Sequence, residues 1–385
     1  MKNWKLEFVL VSLVVATATV WAAAQASTAA EAIALEQQGR LPEAAEAWKA
    51  VTVHNPTDAA AFASLGVVLA RQGKYPEATT AYKKALKLNP KLPGIQFNLG
   101  LAEFKQGAFP AAAAALRAVL ATDPANVQAQ TLLGLSYYGE RKFDLATQFL
   151  EPVAKADPAN AELHQMLAQS CLWARKFSCA QEEFRRILEQ NPDSAPAHVL
   201  FGEALDGLGR MPEAIAEFQA AARISPSEPN VHFGLGYLFW KSQRYEEARQ
   251  EFERELALDS AHAQALAYLG DIEWKANHPE AALELLKRSM AVQKDLRIVY
   301  ADLGAIYMQQ KNYKDAESAL LRAVTLDPTQ PDAHYQLGRL YQAVGKPAEA
   351  EKELHKVQEL HKKAEDSLVG KIASSPPALN PSEAK

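Results

Sequence analysis

The sequence predicts an all-α fold, a right-handed superhelical solenoid of antiparallel helix pairs. Two observations lead to this prediction: prolines recur every 34 residues, and small and large apolar residues keep fixed places between them. Apolar residues make up 48% of the chain and charged residues 23%, which is typical of a folded protein. Alanine, the strongest helix former, is abundant among the apolar residues, which favours helices over strands.

The recurring prolines set the register of the repeats. Proline cannot continue a helix and disfavours helical conformation in the residue before it, so each proline marks the end of a helix pair. The spaced prolines are Pro56, Pro90, Pro124, Pro158, Pro192 and Pro226, with Pro328 three steps further on. With proline at position 32, the repeats begin at 25, 59, 93, 127, 161, 195, 229, 263, 297 and 331.

Other positions of the repeat hold one residue type almost throughout. Position 20 is alanine in all ten repeats, position 8 is glycine in most of them, and position 24 is large and apolar. Apolar positions 4, 7, 8 and 11 follow helical spacing, and so do positions 20, 24 and 27. Each repeat is therefore predicted to form two helices, which approach closely where the small residues at positions 8 and 20 lie.

These positions together resemble the tetratricopeptide repeat family over residues 25–364. The repeat from 59 shows the whole pattern, with Leu65, Gly66, Ala78, Tyr82 and Pro90. The resemblance implies a binding scaffold and not an enzyme. The expected organisation is a signal peptide or N-terminal membrane anchor over 1–26, a repeat solenoid over 27–364, and a helix end with a disordered tail over 365–385. The charged last helix, expected over 348–368, suits a polar cap.

The N-terminal residues predict export. Lys2 and Lys5 precede an apolar run, and the sequence Ala24-Gln25-Ala26 fits the small-x-small cleavage pattern of signal peptides. The chain is therefore expected to be exported, either periplasmic or secreted. The alternative is that the apolar run, residues 8–24, is retained and anchors the chain in a membrane.

The sequence offers no motif for catalysis, a cofactor or nucleic acid. It lacks the phosphate-binding GxxxxGK loop, the zinc-binding HExxH motif and a nucleophile elbow, so no enzyme activity and no cofactor are expected. With a net charge of −5 and mixed signs along the chain, no nucleic-acid partner is expected. Histidines at position 4 lie at least one helical layer apart, about 8–10 Å or more, which is too far to share a metal. These histidines are His164, His198, His232 and His334.

Cys171 and Cys179 occupy positions 11 and 19 of one repeat, on the two arms of a helical hairpin. An oxidising compartment would allow them to form a disulfide, provided that their Cα atoms lie within about 7 Å. The alternative is two packed free thiols. The sequence leaves both interpretations open.

The strongest candidate for a binding site is the inner face. In the resembled family, positions 2, 5, 9, 12 and 13 of the first helix line a concave surface. Large aromatic and adjacent cationic residues at these positions suit an apolar or acidic peptide segment. Alternatively, the rings pack against the neighbouring first helix and expose little. The predicted contact residues are Trp173, Phe233, Tyr237, Trp240, Lys241, Trp274 and Lys275.

The expected function is a protein–protein interaction scaffold that binds a peptide segment or partner protein in its concave groove, outside the cytoplasm. One alternative is a membrane-anchored assembly factor of an envelope or secretion complex. Another is a substrate-presenting subunit of a separate enzyme, such as a glycosyltransferase. Family members that clamp a carboxylate use lysine at position 5, and this chain has none there, so a co-chaperone of that type is not expected.

Overall fold

The computed structural model describes the backbone of residues 20–374 and the side chains of residues 29–366. Within these residues the chain forms twenty α-helices and no strand. It divides into two compact units, Met1–Pro192 and Asp193–Lys385, called here the N-terminal and C-terminal units. Most of the predicted signal segment, residues 1–26, lies outside the described residues. Residues 375–385 of the predicted disordered tail also lie outside them.

Each unit consists of helix pairs in chain order. The N-terminal unit contains α1 (Val20–Gln37), α2 (Leu41–His54), α3 (Ala59–Arg71), α4 (Tyr75–Leu88), α5 (Ile95–Lys105), α6 (Phe109–Thr122), α7 (Val127–Gly139), α8 (Phe143–Ala156), α9 (Ala161–Trp173) and α10 (Phe177–Gln190). The C-terminal unit contains α11 (Ala195–Gly207), α12 (Met211–Ile224), α13 (Val231–Lys241), α14 (Tyr245–Leu258), α15 (Ala263–Lys275), α16 (Pro279–Val292), α17 (Arg297–Gln309), α18 (Tyr313–Leu326), α19 (Pro331–Ala343) and α20 (Pro347–Ser374).

Most first helices begin where the 34-residue period starts a repeat, and two begin after that position. Helices α3, α7, α9, α11, α15, α17 and α19 begin at the first position of their repeats. Helices α5 and α13 begin two residues later, because Gly94 and Asn230 adopt left-handed backbone conformations, with φ of 72° and 64°. A left-handed residue cannot belong to a right-handed helix, so each of these helices begins at the next residue.

The two helices of a repeat meet where position 8 faces position 24. A Cβ atom added to Gly304 would lie 2.4 Å from Cδ2 of Leu320, and one added to Gly134 would lie 2.6 Å from Cδ2 of Leu150. At Gly202 the same atom would lie 3.3 Å from the carbonyl oxygen of Ala214 at position 20. The predicted close approach of the two helices is therefore present, and it leaves no room for a side chain at these three glycines.

The position-4 histidines each bond to a glutamate nineteen residues later, on the second helix of the same repeat. The distances from ring Nδ1 to carboxylate Oε2 are 2.5 Å for His164–Glu183, 2.6 Å for His198–Glu217, 2.7 Å for His232–Glu251 and 2.6 Å for His334–Glu353. Each pair therefore joins the two helices of its repeat by a polar contact at the edge of the apolar core.

Among the side chains described, no group of three or more His, Cys, Asp or Glu residues is arranged to hold a metal ion. Of the helices between residues 20 and 374, none is both long enough and apolar enough to span a bilayer.

We expect Gly304→Val to lower the free energy of unfolding by about 1–3 kcal/mol, because its side chain would overlap Leu320. Ala216→Val is the matched control, since Ala216 is exposed on α12 and the same final residue there costs only about 0.5 kcal/mol of helix propensity. Urea unfolding of the full chain, followed by far-ultraviolet circular dichroism, gives both values. Equal shifts in the two variants would contradict the packing assigned to Gly304.

Candidate functional site

The first helices of the C-terminal unit form one layer. Helix α11 contacts α13, α13 contacts α15, α15 contacts α17, and α17 contacts α19. Their solvent-facing side, called here the first-helix face, therefore combines residues from successive repeats. The predicted contact residues of this unit lie at positions 5, 9, 12 and 13 of α13 and α15.

Four rings from two neighbouring first helices form an aromatic cluster on this face. It consists of Phe233, Tyr237 and Trp240 of α13 and Tyr268 of α15. The Tyr268 ring centroid lies 4.8 Å from that of Trp240, 5.5 Å from Tyr237 and 6.1 Å from Phe233. All four rings are only partly buried, so they pack on one another while part of each stays accessible. The rings therefore pack against the neighbouring first helix, and their role as a contact surface stays a prediction.

The tryptophan and the two lysines of the face are held by aspartates. Trp240 Nε1 donates a hydrogen bond to Asp271 Oδ2 at 2.5 Å, and Lys275 Nζ pairs with the same oxygen. The Lys275 ammonium also lies 4.9 Å from the centre of the Trp240 ring. Lys241 Nζ pairs with Asp206 Oδ1 at 2.7 Å. Both lysines predicted to contact an acidic segment are therefore already neutralised by the protein.

The bond from Trp240 to Asp271 has a counterpart in the N-terminal unit. There the Tyr138 hydroxyl donates to Gln169 Oε1 at 2.6 Å. In both cases an aromatic donor at position 12 reaches an acceptor at position 9 of the next repeat, 31 residues later. This bond fixes the orientation of the ring and links neighbouring first helices.

Three aspartates beside the aromatic cluster form a carboxylate cluster: Asp271, Asp302 and Asp332. Asp302, on α17, is 9% exposed, and its Oδ2 is buried without a hydrogen-bond partner among the described residues. Arg297 Nη1 bonds to both carboxylate oxygens of Asp332, at 2.7 and 2.9 Å. Burial first, and the charge of Asp271 second, raise the pKa of Asp302 well above its usual range, against the lowering effect of Lys275 and Arg297.

Two predicted contact residues lie apart from the aromatic cluster. Trp274 is half-buried and packs against the core formed by residues such as Leu286 and Leu303. Trp173 belongs to the N-terminal unit, is 45% exposed, and has its own ring partners, Phe143 at 4.9 Å and Tyr138 at 5.6 Å. The structure thus groups Phe233, Tyr237, Trp240, Lys241 and Lys275 through ring and cation contacts. Trp274, on the same layer of helices, packs on a core cluster instead, and Trp173 belongs to the other unit.

Sequence reasoning missed Tyr268, Asp271 and Asp302 as parts of the site. Tyr268 and Asp302 both occupy position 6 of their repeats, which was not among the five positions considered. Position 6 lies four residues after position 2 and three before position 9, on the same helical stripe. Helical spacing alone could therefore have added it. Asp271, at position 9, was overlooked because only aromatic and basic residues were sought.

The two cysteines are joined in the structure. A disulfide links Cys171 and Cys179, whose Cα atoms are 5.8 Å apart. It spans the turn between α9 and α10, and Trp173 lies within the enclosed segment. The bond constrains the segment that contains Trp173, the last residue of α9.

Family models match most of the chain. One model described as "Tetratricopeptide repeat" matches residues 97–161, 166–229, 233–295 and 274–331. Two others with the same description match residues 25–50 and 307–369, and one described as "TPR repeat" matches residues 68–107. No curated protein matches the sequence.

Solved structures match the chain at low sequence identity. The crystal structure of the APC/C hetero-tetramer Cut9-Hcn1 is 16% identical, with 87% of this chain and 81% of that chain covered and a TM-score of 0.53. Yeast Tom70 is 13% identical, with 93% and 98% covered and a TM-score of 0.43. Pseudomonas aeruginosa PilF is 20% identical, with 56% and 96% covered and a TM-score of 0.47. The Cut9-Hcn1 match supports the fold alone.

We expect Asp302→Asn to raise the melting temperature at pH 7.5, and the gain to shrink as the pH falls towards 4. Because the pKa of Asp302 is raised on folding, the stability linked to its proton is present at low pH and is lost as the pH rises through the folded pKa. Asparagine is neutral at every pH and avoids this loss. Asp295→Asn, an exposed position with the same charge change, should show no such trend.

Differential scanning calorimetry of both variants between pH 4 and pH 7.5 tests this expectation. A melting temperature of Asp302→Asn that stays below that of the natural protein at both ends of the range would contradict it. Such a result would mean that the Asp302 charge stabilises the fold.

We expect no reactive thiol in the unreduced, urea-unfolded protein, and two after reduction, as measured by iodoacetamide labelling and mass spectrometry. In the double variant Cys171→Ser with Cys179→Ser, the free energy of unfolding should be lower by about 2–3 kcal/mol. The disulfide no longer restricts the conformations of the unfolded chain. Two labelled cysteines in the unreduced protein would instead favour packed free thiols.

Proposed function

Because this chain belongs to the tetratricopeptide repeat family, we propose that it binds a peptide segment or a partner protein through its first-helix face. The fold is typical of protein–protein interaction and is generally a non-enzymatic scaffold. The observation that supports the proposal most is the partly exposed aromatic cluster of Phe233, Tyr237, Trp240 and Tyr268. Aromatic residues are the side chains that most often dominate binding energy at protein interfaces.

The packing of the cluster favours binding because it reduces the entropy lost when a partner arrives. The four rings pack against one another, and Trp240 is held by its hydrogen bond to Asp271. Side chains that are already ordered lose little rotamer freedom on association. The proposed contact residues of this unit are Phe233, Tyr237, Trp240, Lys241, Trp274 and Lys275, of which Trp274 also packs on the core.

A second contact surface is proposed around Trp173 in the N-terminal unit. Trp173 is exposed and packs on Tyr138 and Phe143, so it offers a ring face to solvent. The disulfide that closes the turn beside it supports this role, since it limits the motion of the segment that holds the ring.

We further propose that the protein acts outside the cytoplasm. The apolar run over residues 8–24 with Ala24-Gln25-Ala26, and the cysteine pair that an oxidising compartment would keep joined, support export. If residues 8–24 are retained, the alternative role is a membrane-anchored assembly factor, and N-terminal sequencing of the mature protein separates the two. A substrate-presenting role would require a separate enzyme chain that co-purifies.

We expect Trp240→Ala to reduce partner binding by about 30-fold, the effect typical of a buried aromatic anchor at an interface, while helical content stays unchanged. Co-purification from the native compartment identifies the partner, and titration of the purified pair gives the affinity. Tyr313→Ala is the control, since it removes a half-buried ring at the start of the second helix α18.

Trp274→Ala is expected to lower stability as well as binding, because Trp274 packs on the core.

Unchanged partner affinity in Trp240→Ala, with circular dichroism like that of the natural protein, would refute the first-helix face as the binding surface.

A further inference from the structure

We infer that the first-helix face selects a partner segment with a basic side chain, lysine or arginine, and that Asp302 receives this side chain beside the aromatic cluster. The inference rests on the proposed function, since it takes the same face as the binding surface and adds the chemistry of the ligand. It differs from the apolar or acidic segment expected from the sequence.

Asp302 is the member of the carboxylate cluster without an ionic partner in the described part of the chain. Two cations lie near it, and each is bonded to another carboxylate: Lys275 to Asp271, and Arg297 to Asp332. Three aspartates therefore share two cations. Buried polar groups almost always have hydrogen-bond partners, so an unpartnered carboxyl oxygen at 9% exposure is an exception that requires an explanation.

The cluster extends to the surface, where a partner can reach it. Asp271 and Asp302 are buried, whereas the side chain of Asp332 is 53% exposed. The aromatic rings beside it are also partly exposed. A cation that arrives from solvent would therefore meet carboxylates and ring faces together.

Lys275 demonstrates within the molecule how this surface holds a cation. Its ammonium pairs with Asp271 and lies 4.9 Å from the Trp240 ring centre and 5.4 Å from that of Tyr245. Carboxylates and aromatic faces are the two groups that bind ammonium and guanidinium ions in proteins. Asp302 offers a further carboxylate of this kind next to Tyr268, with no cation of its own.

The charges on this face also disfavour an acidic ligand. Lys241 and Lys275 are neutralised by Asp206 and Asp271, so neither presents a free positive charge. A ligand carboxylate would meet no unpaired positive charge at these two lysines, and it would lie close to Asp302, which has no cation of its own in the described part of the chain. The charge balance therefore favours a basic side chain over an acidic one.

Binding of a cation at Asp302 should be linked to proton release. Asp302 is surrounded by Asp271, Lys275, Arg297 and Asp332, and burial raises its pKa. A ligand cation stabilises the ionised carboxylate, so affinity should rise as the pH increases from 5 to 7.5. Asparagine at this position would remove the dependence, a result that a merely structural role of Asp302 would not produce.

The test uses three pools of capped nonapeptides with randomised flanks and a fixed central residue: arginine, its neutral isostere citrulline, or glutamate. Each pool is passed over the immobilised full chain, and the retained peptide is quantified by mass spectrometry. We expect the arginine pool to be retained at least about tenfold more than the citrulline pool. Asp302→Asn should bring arginine retention down to the citrulline level and abolish its rise with pH, whereas Asp295→Asn should change neither.

The outcomes separate this inference from the proposed function. Equal retention of the arginine and citrulline pools, with both lost in Trp240→Ala, would overturn the basic selection and leave the first-helix face as a binding surface. Best retention of the glutamate pool would overturn it in favour of an acidic segment. Arginine selection that survives in a folded Asp302→Asn protein would overturn the assignment to Asp302. Retention of no pool, together with full partner affinity in Trp240→Ala, would refute both.

Discussion

The contact between glycine at position 8 and the large side chain at position 24 is the constraint on which the rest of the structure depends. At Gly304 and Gly134 an added Cβ would overlap a leucine, so the second helix is held directly against the first. This contact fixes one side of each first helix. The opposite side is left for the neighbouring first helix and for solvent, and there the aromatic and carboxylate clusters lie. Because each repeat packs mainly on its neighbours, the same local contact repeats along the chain.

Polar contacts join the two helices of a repeat in addition to the apolar core. His232 bonds to Glu251 on its own second helix and, through Nε2, to the carbonyl oxygen of Pro226 at 3.0 Å. Pro226 ends the preceding repeat, so one side chain joins the two helices of a repeat and the turn before them. His232 and His334 thus each satisfy a backbone carbonyl at the boundary between repeats.

The sequence predicted the helices well because proline spacing and small-residue positions act locally. The repeat register does not show that α5 and α13 begin two residues into their repeats, since the left-handed conformations at Gly94 and Asn230 depend on the turns after Pro90 and Pro226. Phe233, Tyr237 and Trp240 were predicted together because residues spaced by four and three positions lie on the same side of a helix. The pairing of Lys241 with Asp206 was not foreseen, because it depends on how neighbouring first helices are offset, which a repeat period does not define.

The bond from position 12 to position 9 of the next repeat has a bearing on how such a chain can evolve. The core contact between positions 8 and 24 lies within one repeat, so gain or loss of a whole 34-residue unit leaves it intact. The Trp240–Asp271 and Lys241–Asp206 contacts each join two different repeats. Excision or duplication of a whole repeat would therefore keep this core contact and change the proposed binding surface at the junction. Architecture and recognition can thus diverge at different rates within one gene.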